Sequence, residues 1–216
     1  SGVSAEESVN YEAGLRFQRG ELFAEAIGFF SDYSNLLGRC RISDFGCQPG
    51  DEFSGGAVEI YGLETMLDYS MPLGEEFSFS LKGSYTYTHS EFQDSFLSTF
   101  SQFGIVRAGD ELPYLPQHMA NVDARLTNSS WELSASIKYQ SKMREEPGSS
   151  NIQSDLHAED YTVVDLGLTW FISEPFSLQL LARNAADDRA IVSHRPFGAR
   201  PNLPRTLILR ARYTFL

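Results

Sequence analysis

Positive charge is scarce in this sequence. Seventeen Lys and Arg stand against 29 Asp and Glu, for a net charge of −12 over 216 residues, a balance that argues against binding a polyanion such as nucleic acid. Nowhere does an uninterrupted apolar run approach the roughly 18 residues a membrane-spanning helix needs, which excludes a helical membrane protein but not a membrane barrel. There are two cysteines and four isolated histidines, His89, His118, His157 and His194, with no pair at the spacing of a metal site. No Gly-Xaa-Ser-Xaa-Gly elbow, phosphate-cradling Gly loop or assembled nucleophile and base is present, so enzymatic readings find no support. Hydrophobic residues at 42 % and charged residues at 21 % are ordinary globular usage, against disorder, collagen or coiled coil. The length suits one sizeable domain or part of one.

What is abundant is aromatic residues, 13 % with 16 Phe and 10 Tyr, set in stretches that alternate apolar and polar rather than repeating at helical spacing. At the C-terminus Leu207, Leu209, Ala211, Tyr213 and Phe215 share one parity, and Thr206, Arg210, Arg212 and Thr214 the other. Trp131, Leu133, Ala135, Ile137 and Tyr139 likewise oppose Glu132, Ser134, Ser136 and Lys138. Equivalent two-faced strands are predicted near residues 9–17, 77–87, 120–126, 164–170 and 176–183, and about nine in all. Residues 22–39 and 57–71 mix charged with apolar parity through Glu25, Asp32 and Glu64, which predicts a bulge or register change there.

The connections alternate in length. Arg19-Gly20-Glu21, Pro72 to Glu76, Asn128-Ser129-Ser130 and Ser173-Glu174-Pro175 are tight-turn compositions, and polar links of about 40–56, 93–116, 144–160 and 190–204 lie between them. Short and long in turn is the plan of an up-and-down membrane barrel. Phe17, Phe77, Trp131, Trp170, Phe176 and Phe215 fall beside the short turns, and Tyr11, Tyr87, Tyr139 and Tyr161 toward the long loops, as two aromatic girdles would. Periodicity alone also admits a soluble β-sandwich, such as a carbohydrate-binding one, with the apolar parity buried, or a diffusion porin.

Ser8-Val9-Asn10-Tyr11-Glu12-Ala13-Gly14-Leu15-Arg16, the run Gly28 to Leu37, the segment Gly55 to Glu64, and the end Arg195-Pro196-Phe197-Gly198-Ala199-Arg200-Pro201 through Pro204-Arg205 to Arg212-Tyr213-Thr214-Phe215 resemble the C-terminal part of a TonB-dependent outer-membrane receptor, from about residue 7 onward. The ferric-citrate branch is the nearest in flavour, through Cys40 and Cys47 in a long loop running into Gly50-Asp51-Glu52-Phe53. The resemblance implies an all-β, antiparallel, up-and-down transmembrane barrel in which residues 1–216 supply about the last nine of 22 strands, with plug and earlier strands absent. It implies import of a ferric chelate, ferric citrate or another ferric siderophore, or of a non-iron nutrient, across the outer membrane of a Gram-negative bacterium. TonB acting through the plug, outer-membrane lipid, lipopolysaccharide and the barrel assembly machinery would be the partners. No cofactor is implied, because the iron arrives chelated as cargo.

Within that family setting Cys40 and Cys47 read as a loop disulfide, formed in an oxidising compartment. Arg195, Arg200 and Arg205 of the last long loop could hold an anionic chelate through charge-assisted hydrogen bonds, and His89 and His157 could touch it. Tyr213 and Phe215 would carry the C-terminal assembly signal, displaced by one residue because Leu216 follows. The loop acids, among them Asp51, Asp110, Glu111, Glu145, Glu146, Asp155 and Glu159, are expected to keep the loops solvated.

Overall fold

The computed structural model describes residues 5–40, 48–98, 100, 102–152, 157–195 and 198–215, and no helix occurs among them. Nine long strands form one antiparallel sheet: β1 (Glu7–Arg19), β2 (Leu22–Ser34), β3 (Val58–Leu73), β4 (Phe77–Phe92), β5 (His118–Thr127), β6 (Trp131–Gln140), β7 (Tyr161–Ser173), β8 (Phe176–Arg183) and β9 (Thr206–Tyr213). Each pairs only with its sequence neighbours, so the sheet is a meander in chain order with β1 and β9 at its edges.

The tight turns work through their residue chemistry. Gly20 and Gly74, at φ 56° and 72°, sit at hairpin tips where a side chain would be strained. Asn128 accepts from the backbone N–H groups of Ser130 and Trp131, each at 2.8 Å, closing the β5–β6 turn. All four long connections lie at the other end of the sheet, and each carries a small ladder: Leu37–Arg39 with Glu52–Ser54, Phe96–Leu97 with Ile105–Val106, Met143–Arg144 with His157–Ala158, and Ile191–Ser193 with Arg200–Pro201. The run expected to reach residue 39 therefore splits, with β2 ending at Ser34.

One pleat parity runs unbroken across the sheet. Leu22, Tyr69, Leu81, Ala124, Ala135, Leu166, Ala182 and Leu207 form a single cross-strand row. The opposite face carries rows such as Asp68, Lys82, Asp123, Ser136 and Asp165. The expected irregularity in β2 and β3 is not there: Leu22↔Tyr69 to Tyr33↔Val58 pair without a shift. Glu25 is on the polar face, paired with Arg16, and Asp32 caps the apolar parity at the loop end, so the mixed pattern reflects position along the strand rather than a bulge. A register shift falls instead between Phe171 and Ser173, at the β7–β8 turn.

Among the described residues no second sheet covers the apolar face. In interior strands Leu133, Leu166, Leu168 and Trp170 remain 42–56 % exposed, although removing each such side chain from water is worth roughly 1.5–3 kcal/mol. The buried cluster among the described residues is small and lies at the loop end, where Val58, Phe92 and Val106 pack with Tyr33, Ile60 and Phe103. A sandwich buries the parity this sheet displays, so the sandwich reading fails on the structure, and so broad an apolar surface calls for an apolar solvent.

Candidate functional site

The loop end is where polar side chains converge. The β8–β9 loop starts at Asn184, 2 % exposed and in the left-handed region at φ 46°, which Asn tolerates. Its amide donates to the carbonyls of Asp188 and Leu203, each at 2.9 Å, and its Oδ1 accepts from the Asp188 N–H at 3.0 Å, tying both ends of the loop together. Asp187 accepts from the Arg205 N–H at 3.1 Å and pairs with Arg189 at 2.9 Å. These contacts, the Arg205 backbone bond first, hold its carboxyl below its ordinary value of 3.8.

Farther along, that loop docks on two others. Glu145, of the β6–β7 loop, is 2 % exposed, and its Oε1 accepts from the His194 N–H at 2.7 Å and lies 3.3 Å from His194 Nδ1. Tyr114, of the β4–β5 loop, places its phenol 3.5 Å from Ser193 Oγ and donates its N–H to the Arg144 carbonyl at 2.8 Å. Burial pushes the Tyr114 phenol above 10.0, with the negative Glu145 adding to the rise against the Ser193 hydrogen bond and Arg195. Tyr114 holds φ 58°, costly for a bulky residue and sustained only where surroundings fix it. Arg144 pairs with Glu111 at 2.9 Å, and Glu159 accepts from the Ile191 N–H at 2.6 Å. On the polar face beneath these loops lies a recess of about 820 Å³ whose lining includes Thr86, Asn121, Lys138, Tyr161, Arg183 and Asn202.

The sequence-predicted residues are placed unevenly. Arg195 pairs with Glu146, Arg200 donates to Ser193 Oγ at 3.2 Å, and Arg205 stands 3.8 Å from Asp187, so all three already have partners within the loops. His89 belongs to the apolar parity opposite Tyr61, ring centroids 5.0 Å apart, and so turns away from the polar face. With Tyr85, whose hydroxyl lies 2.9 Å from His118 Nδ1, and with Tyr87, these rings make the loop-end girdle. Tyr161 does not belong to that girdle: its parity is inward and its hydroxyl donates to Gln140 at 3.2 Å. His157 pairs with Arg144 in a loop ladder. Tyr213 ends β9, and Phe215 lies beyond the strand, 4.9 Å from it in an edge-on contact. Cys40 is buried, while Cys47, Asp155 and Leu216 lie outside the described residues. Five of the loop acids knit rather than solvate, while Asp51 stays exposed as expected: Glu145 is 2 % and Asp110 7 % exposed, and Glu111, Glu146 and Glu159 each hold a cation or an N–H. Sequence reading took Glu145 for a solvating acid and missed Tyr114 and Asn184. Pro113 and Pro116 flanking Tyr114 were the one local sign of a constrained backbone.

The TonB dependent receptor-like, beta-barrel family model matches residues 2–185. An iron-regulated outer membrane virulence protein of Vibrio cholerae serotype O1 is 30 % identical over 213 residues, covering 91 % of this chain and 29 % of that protein. The chain thus spans under a third of the length of this curated relative. Among solved structures, the ferric-catecholate import receptor Fiu of E. coli K12 superposes with a TM-score of 0.73 at 20 % identity, over 100 % of this chain and 29 % of that one. The ferric yersiniabactin uptake receptor FyuA of Yersinia pestis gives 0.67 at 18 %, over 98 % and 30 %, and the copper transporter OprC 0.69 at 15 %, over 99 % and 32 %. These structural likenesses carry the nine-stranded wall and no more. With the family model covering most of the chain, it belongs to the TonB-dependent receptor-like β-barrel family.

Proposed function

We propose that residues 1–216 form the C-terminal part of the wall of an outer-membrane receptor that imports a metal chelate, a ferric siderophore foremost, by TonB-coupled transport. The observation that carries this reading is the uncovered apolar face spanning nine strands, with all four long loops gathered at one end. Family membership supports it, and so does the iron-regulated relative. The open edges of β1 and β9 suit a wall continued on both sides, with TonB engaging a plug outside these residues. The apolar face would meet lipid and lipopolysaccharide, and Tyr213 with Phe215 would serve the assembly machinery. The iron arrives already chelated, so no resident metal or cofactor is invoked, and the family is one of receptors rather than enzymes or diffusion porins.

Cys40 and Cys47 are assigned to one disulfide, supported by the burial of Cys40 and by the lack of a free cysteine among the described residues. Ferric citrate is the cargo the sequence resemblance favours, held by Arg195, Arg200 and Arg205 once their present partners are exchanged. The test is uptake of labelled iron, supplied as citrate, hydroxamate or catecholate chelate, by iron-starved cells with and without the gene. Gene-dependent uptake from any of these supports the reading, and uptake from citrate alone assigns the branch. Equal uptake without the gene from every chelate contradicts an iron cargo.

A further inference from the structure

We infer that Glu145 is a positioning residue, the buried pin that fastens the β8–β9 loop, with Arg195 and Arg200 on it, to the β4–β5 and β6–β7 loops, so that the three act as one rigid cap. A carboxyl group 2 % exposed is costly unless its oxygens are satisfied. Here the satisfaction comes from another loop, the His194 N–H at 2.7 Å and the His194 ring at 3.3 Å, while the Tyr114 phenol of the third loop lies 3.5 Å from Ser193 Oγ, one residue before His194. The Glu145 backbone is held as well, its carbonyl accepting from Gln102 Nε2 at 3.2 Å. Flanking residues repeat the pattern, Glu146 binding Arg195 and the Arg144 carbonyl binding Tyr114 N–H. Pulling the β8–β9 loop away strips the buried carboxyl of both His194 contacts and takes Ser193 from the Tyr114 phenol, so its release loosens the other two loops.

The β2–β3 loop meets the β4–β5 loop through Phe53, stacked on Phe100 at 4.6 Å and edge-on to Phe103 at 5.7 Å, and at its base through the Gln93 N–H on the Ala57 carbonyl at 2.9 Å. The inference concerns the loops alone and stands whatever the cargo.

The test is amide hydrogen exchange on the intact receptor in detergent micelles, comparing wild type with E145A, E145Q and E145D. In E145A, exchange at 191–195 and at 112–115 rises together by about tenfold or more while β6 keeps its protection. E145Q still offers an amide oxygen to the His194 N–H and stays within about twofold of wild type. E145D withdraws the carboxyl by one methylene and gives the same coupled release to a smaller degree, which serves if E145A does not assemble. Unchanged exchange at His194 in E145A or E145D, or release confined to 191–195 with 112–115 still protected, overturns the inference.

Discussion

Asn184 spends three of its four side-chain hydrogen-bonding positions on closing one loop, and it does so in a backbone conformation that few residues adopt without strain. Asn184→Ala should therefore lose about 2–4 kcal/mol, from lost hydrogen bonds plus left-handed strain, and Asn184→Gly only the hydrogen-bond part. The temperature at which the folded gel band converts to the unfolded one reads this, and equal shifts for Ala and Gly would remove the strain contribution. Asp187 gives a pH prediction. Its carboxyl is held below 3.8 in the folded loop, so its contribution is present above that value and is lost as pH falls beneath it. Proteolytic nicking of residues 187–205 should rise below pH 3.8, and Asp187→Asn should abolish that dependence. Neither residue stood out in the sequence. Arg195 could be recognised as a loop cation, but its partner Glu146 is 49 residues away, a pairing fixed by loops docking rather than by local spacing. The same distance separates Glu145 from His194, which is why a buried pin looked like one more solvating acid.

At the scale of the strand the sequence was most informative, because a period-two pattern imposed by lipid on one side and polar surroundings on the other survives any detail of packing. Trp131 to Tyr139 and Leu207 to Tyr213 alternate as expected, and the register carries that alternation through the sheet. Where reading failed, the cause was position along a strand. Glu25 is stabilised by an inward Arg16, and Asp32 lies past the apolar band, so charges that looked like a slipped register sit in a continuous ladder. The actual shift, at Phe171 to Ser173, lies in an apolar run, Trp170-Phe171-Ile172, with no charge to betray it. The loop ladders of two or three residues are too short to leave a periodic trace. Leu209, 75 % exposed on the apolar face, provides the element-scale prediction. Leu209→Arg should cost about 2–4 kcal/mol at mid-bilayer and lower the assembled fraction of receptor in outer-membrane preparations. Gln179→Arg, on the polar parity of β8, should assemble normally, and equal yields for the two variants would reverse the facing assigned here.

For the molecule as a whole, the decisive feature is a large sheet without a conventional core. Its buried apolar residues cluster at the loop end, its polar face carries paired charges such as Lys82 with Asp68 at 2.8 Å, and its apolar face is left uncovered. Period-two alternation alone admitted a membrane barrel and a soluble sandwich, loop lengths and aromatic placement favoured the barrel, and the three-dimensional placement of the apolar parity decides between them. The measurement that tests this most directly is a cysteine scan through the central strand β6 of the intact receptor in lipid bilayers. Each substituted residue carries a fluorophore quenched either from the acyl-chain region or from water. Positions 133, 135 and 137 should be quenched from lipid and positions 134, 136 and 138 from the aqueous side. Alternation with the opposite phase, or aqueous quenching at all six, would contradict the account.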